Sequence, residues 1–68
     1  MSITTEQWND FIARIDRMIE KEHDLKKYIA AHEYTPQTEK EQMHKQIELR
    51  IKHYEQRKQE YAEYRDKK

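Results

Sequence analysis

Sixty-eight residues, 34% hydrophobic and 41% charged, make one small domain at most and lie well away from the average soluble mixture. The charges cancel to a formal zero, 14 Lys and Arg against 14 Asp and Glu, which argues against a chain held open by self-repulsion. With no cysteine and no glycine, thiol chemistry, disulfides, zinc–thiolate sites and glycine-rich phosphate loops are excluded.

The first predicted element announces its own start. Thr4 followed by Gln7 fits a capping box, and Ile3 with Trp8 stand where a hydrophobic staple would close over the same cap. From there Trp8, Phe11, Ile15, Met18, Leu25 and Ile29 follow a 3-4 spacing, with Ile12 and Ile19 beside them. A helix is expected over about 5–32.

The stretch YTPQT, Tyr34 to Thr38, then supplies the break, because it holds the only proline of the chain. Proline disfavours the helical conformation at Thr35 but suits the first position of a new helix. A turn is expected at 33–35, with Thr35 as N-cap of a second helix over about 36–65. That helix carries Met43, Ile47, Ile51, Tyr54 and Tyr61 on one face. A single helix kinked at Pro36 would leave most apolar side chains without a partner in the chain. The expected fold is all-α, an antiparallel two-helix hairpin of coiled-coil type forming one domain over 1–68.

Heptad letters can be assigned to both halves. Trp8, Ile15, Glu22 and Ile29 take position a of helix 1, and Phe11, Met18, Leu25 and His32 take d. On helix 2, Lys40, Ile47, Tyr54 and Tyr61 are d, and His44, Ile51, Lys58 and Arg65 are a. A short turn pairs residues whose numbers sum to about 69, setting Trp8 against Tyr61, Ile15 against Tyr54 and Met18 against Ile51. Three levels fit badly: Phe11 meets Lys58, Glu22 meets Ile47, and Ile29 meets Lys40. Helix 1 has more apolar surface than helix 2 covers, so Ile12, Ile19 and Trp8 are expected to bind a second copy, giving a homodimer with a four-helix arrangement.

Two Glu-x-x-His pairs, Glu20 with His23 and Glu41 with His44, have the spacing of carboxylate-bridged metal sites in helical bundles. In this register Glu20 lies on the outer face and the pairs differ in height, so no metal and no cofactor is expected. His44 falls inside the seam beside Leu25, where an imaginable second role is a pH-dependent interface. Among five tyrosines, Tyr54 and Tyr61 belong to the seam, while Tyr28, Tyr34 and Tyr64 lie off it. Tyrosine suits interfaces, so Tyr28 and Tyr34, the latter at the tip, are candidate partner contacts.

Several acid–base pairs at i,i+4 are expected to support their helices, among them Glu22 to Lys26 and Glu48 to Lys52. The g positions Arg14, Lys21, Arg50 and Arg57 form a cationic edge, whereas Glu41, Glu48 and Glu55 border the e side. Such an edge invites an acidic counterpart.

The segment QIELRIKHY, Gln46 to Tyr54, resembles the signature helix of the small phosphatases of sporulating bacteria, which are also helical hairpins. That family's motif ends in an aspartate required for activity. Arg50 stands in its place here, so the resemblance implies no catalytic role for this chain.

With no nucleophile–base arrangement and little enclosed space between two helices, a non-enzymatic protein-binding module is expected: a small adaptor, inhibitor or chaperone-like hairpin of the bacterial or phage kind. Its partner would be another protein or a second copy. The alternatives are a nucleic-acid-associated protein using the cationic edge, or a coiled-coil scaffold. Net neutrality and the glutamates interleaved along helix 2 speak against nucleic acid. No apolar run approaches the length of a membrane span, and a cytoplasmic location is expected.

Overall fold

In the computed structural model, which describes residues 2–67, α1 spans Thr5–Ala31 and α2 spans Gln37–Asp66. The two helices pack against each other as a hairpin, and no strand forms among the described residues. The start of α1 has the expected capping box. Thr4 Oγ1 accepts from the Gln7 amide at 3.2 Å, and Gln7 Oε1 accepts from the Thr4 amide at 2.9 Å. Two orphan donors of the first turn are thereby satisfied by side chains.

The turn is longer than 33–35, since residues from His32 to Pro36 are non-helical. Pro36, not Thr35, is the N-cap of α2, and it offers no side-chain hydrogen bond. Thr35 is occupied elsewhere: its hydroxyl lies 2.7 Å from His32 Nδ1, tying the end of α1 to the turn. At the same end Lys40 Nζ donates to the Ala30 carbonyl at 3.2 Å. The last turn of α1 contains no basic residue of its own, so this ammonium from α2 supplies both the missing donor and the favourable charge. The poor level that paired Ile29 with Lys40 is thus a helix cap.

The hairpin is a rod, 51 Å long and 15 Å across each way. Among the described residues its core is three isoleucines, Ile15, Ile47 and Ile51, of which Ile47 is 1% exposed. Helix α2 turns inward along the expected columns: Lys40, His44, Ile47, Ile51, Tyr54, Lys58, Tyr61 and Arg65 are buried or half-buried. Helix α1 does not. Trp8, Ile15, Glu22 and Ile29 face the seam as expected, but the second inward column is Ile12, Ile19 and Lys26. Met18 and Leu25, placed in the seam by the sequence reading, are 42% and 41% exposed.

Helical geometry accounts for the difference. A straight α-helix drifts about 20° per heptad against a strict seven-residue repeat. Phe11, at the start of the d column, is half-buried, and the drift carries Met18 and then Leu25 outward. The same drift brings Ala62 of α2 into the half-buried class near the open end.

Cross-helix polar contacts sit further from the tip than a symmetric turn implies. Asp16–Lys58 and Lys26–Glu48 join numbers that sum to 74, and Glu22–Arg50 joins numbers that sum to 72. Helical side chains slant toward their own N-terminus. In an antiparallel pair, that slant moves the ends of α1 side chains away from the tip and those of α2 toward it. The tips of long side chains therefore meet at a register several residues beyond that of the backbones.

Candidate protein-interaction surface

Ion pairs close the seam. Arg50 reaches Glu22 through Nε at 3.1 Å and Nη2 at 2.9 Å, a two-pronged grip that raises the Arg50 pKa above its ordinary value by hydrogen bonding. Lys26 bonds Glu48 at 3.0 Å and holds that carboxyl below the usual glutamate range. Lys58 meets Asp16 at 2.6 Å, and Arg65 donates to Asn9 Oδ1 at 2.8 Å. None of the ion pairs among the described residues is of the expected i,i+4 kind. Glu22 and Lys26 turn away from each other toward α2, where Glu22 becomes a shielded anion with its side chain 16% exposed.

At the open end an aromatic cluster takes the place of cross-helix ion pairs. Trp8 lies 5.4 Å from Tyr61 and stacks on Tyr64 at 5.7 Å, with Phe11 edge-on at 5.8 Å. Phe11 also reaches Tyr61 at 6.1 Å, so its level is an aromatic contact and Lys58 is free to serve Asp16. At the tip, Tyr28, His32 and Tyr34 form a second, open cluster, with ring separations of 6.0 and 6.1 Å.

The residues singled out by sequence are therefore distributed as follows. Trp8 is half-buried in the open-end cluster, and Ile12 and Ile19 are half-buried in the seam. Tyr28 is exposed, and Tyr34 is 88% exposed at the tip. Of the cationic edge, Arg50 is engaged by Glu22, while Arg14, Lys21 and Arg57 are exposed and take no part in the ion pairs among the described residues. His44 sits in the seam as expected, and its Nε2 is buried without a hydrogen-bond partner. The two Glu-x-x-His pairs do not converge: no group of three or more metal-ligating side chains forms among the described residues.

What the heptad assignment missed is the uncovered apolar surface. Met18, Leu25, Tyr28 and Met43 are all exposed, and all lie on the side of the hairpin that carries Arg14, Lys21, Arg50 and Arg57. Between the helices there a groove of roughly 300 Å³ opens, lined by Leu25, Tyr28, Ile29, Met43, Ile47 and Arg50. A signal for this was present in the charges. Lys26 opposite Glu48 fixes the e columns of both helices as neighbours, which turns the d column of α1 outward. No helix among the described residues is long and apolar enough to cross a membrane. No protein-family model, curated protein or solved structure matches the chain.

Proposed function

We propose that the hairpin is a non-enzymatic protein-binding module of the cytoplasm, an adaptor, inhibitor or chaperone-like element that acts through helix–helix contacts. One observation carries the reading: Met18, Leu25, Tyr28 and Met43 stand exposed along one side of a hairpin whose interior is already filled by other residues. Exposed apolar surface of this kind is a docking feature or an aggregation hazard. A groove flanked by two helices accepts the ridge of a third.

Self-association into a four-helix arrangement is the second reading. The Ile12 and Ile19 stripe that suggests it is half-buried within the hairpin, so a dimer would have to use the Met18, Leu25 and Met43 side. Sedimentation equilibrium of the parent and of Leu25→Ser decides between them. A monomer at high concentration, together with a partner that is lost on Leu25→Ser, supports the module. A dimer that Leu25→Ser dissociates supports self-association.

A further inference from the structure

The charges around the groove describe what fits it, if the protein-binding reading holds. Arg50 lines the groove, and Lys21, Arg57 and Arg14 continue the same side of the two helices toward the open end, one heptad apart on each helix. Arg50 is spent on Glu22, which leaves three exposed cations outside the ion pairs of the described residues. The glutamates of the opposite edge lie away from them. Glu41, Glu48 and Glu55 line the far side of α2, with Glu48 held by Lys26. Asp10, Asp24, Glu39 and Glu60 stand one column further out, within a helical turn of these cations or of Met43, and make no ion pair among the described residues.

We propose that the groove binds an acidic amphipathic helix from another protein. Its apolar stripe would lie over Leu25, Met43 and Met18, and its carboxylates would reach Lys21, Arg14 and Arg57. The exposed stripe from Met18 to Tyr28 spans about 15 Å of helix, enough for roughly three turns of a partner. A second copy suits it less well. Two-fold pairing of this side would set Arg14, Lys21 and Arg57 against the same cations, and a head-to-tail contact with the glutamate side would not close. A phosphate backbone answers the cations but leaves the apolar stripe uncovered. An anionic bilayer would have to take up side chains that line a concave slot rather than a projecting ridge.

The test uses the full chain and a fluorescently labelled synthetic peptide of about 20 residues, long enough to hold helix, with leucines at 3-4 spacing flanked by glutamates. Its control carries glutamine for every glutamate. Anisotropy titrations should show the acidic peptide binding at least about tenfold more tightly than the control in low salt, with the advantage fading as salt rises. The combined variant Lys21→Glu, Arg57→Glu should remove that advantage, and Leu25→Ser should weaken both peptides, with helicity unchanged by circular dichroism in each. Amide shift changes should centre on residues 18–28 and 43–50. Equal binding of both peptides at these residues would overturn the acidic specificity but leave the helix-binding module standing. Binding of neither peptide, or binding mapped elsewhere, would overturn both. Phosphatidylserine vesicles or duplex DNA that compete for the same residues more strongly than the peptide would also overturn the proposal.

Discussion

Arg50 and Glu22 face each other across the seam as a bidentate pair, with nitrogen–oxygen distances of 3.1 and 2.9 Å. Glu22 occupies a column otherwise filled by Trp8, Ile15 and Ile29, and an unpaired carboxylate there would be costly. The Arg50 fork satisfies it while the arginine stem covers part of the seam. A double-mutant cycle on Glu22 and Arg50 should return a larger coupling than one on Lys26 and Glu48. The reason is shielding: the Glu22 side chain is far less exposed than that of Glu48. Equal couplings would show that both pairs behave as solvated surface pairs.

Ile47→Ala should cost about 2–4 kcal/mol, because the side chain is fully enclosed and two rigid helices collapse poorly around a void. Met18→Ala, by contrast, should change stability by under about 1 kcal/mol, since Met18 is exposed. Urea denaturation of the two variants measures both. A Met18→Ala cost matching that of Ile47→Ala would place Met18 back in the seam.

Acid should weaken the hairpin in part through Glu48. Its folded pKa lies below the ordinary value of 4.5 because Lys26 bonds the charged form. The stabilisation is therefore complete above the unfolded pKa and is lost as pH falls through the lower, folded value. Melting temperatures measured from neutral pH down to about 3 should fall less steeply below 4.5 in Glu48→Gln than in the parent. An identical acid limb would show that the pair contributes nothing to stability.

His44→Leu should stabilise the protein by about 1 kcal/mol, because it removes a buried ring nitrogen that has no partner and adds apolar contact in the seam. For a chain of this size that corresponds to a rise in Tm of roughly 4–8 °C. A lower Tm for His44→Leu would show that the nitrogen has a partner in solution.

Much of the fold is legible in the sequence, for reasons that are local. The Thr4–Gln7 cap, the break at Pro36 and the inward columns of α2 follow from residue chemistry within one helical turn. The second column of α1 does not, because three apolar columns compete for a seam that admits two. Drift along a straight helix, together with the Lys26–Glu48 contact, decides the contest, and neither is visible in the apolar spacing alone. The three poorly matched levels show the same thing. Lys40 caps Ala30, Arg50 meets Glu22, and Lys58 bypasses Phe11 for Asp16, so each mismatch is resolved by a long side chain reaching past its own level. For the same reason, assigning Met18 and Leu25 to the interior hides the apolar groove on the side that carries the exposed cations.

The aromatic cluster at the open end has a bearing on how the protein can be watched. Trp8 and Tyr61 are separated by most of the chain, whereas the Thr35–His32 and Lys40–Ala30 contacts that close the tip join residues 3 and 10 apart. Closing the long loop carries the larger entropic cost, so a hairpin zipping from its tip brings Trp8 and Tyr61 together last. The lone tryptophan is thus a reporter of the final few turns. Its fluorescence follows fraying at the open end, while far-ultraviolet circular dichroism follows the helices as a whole, and the two signals describe different events in the same molecule.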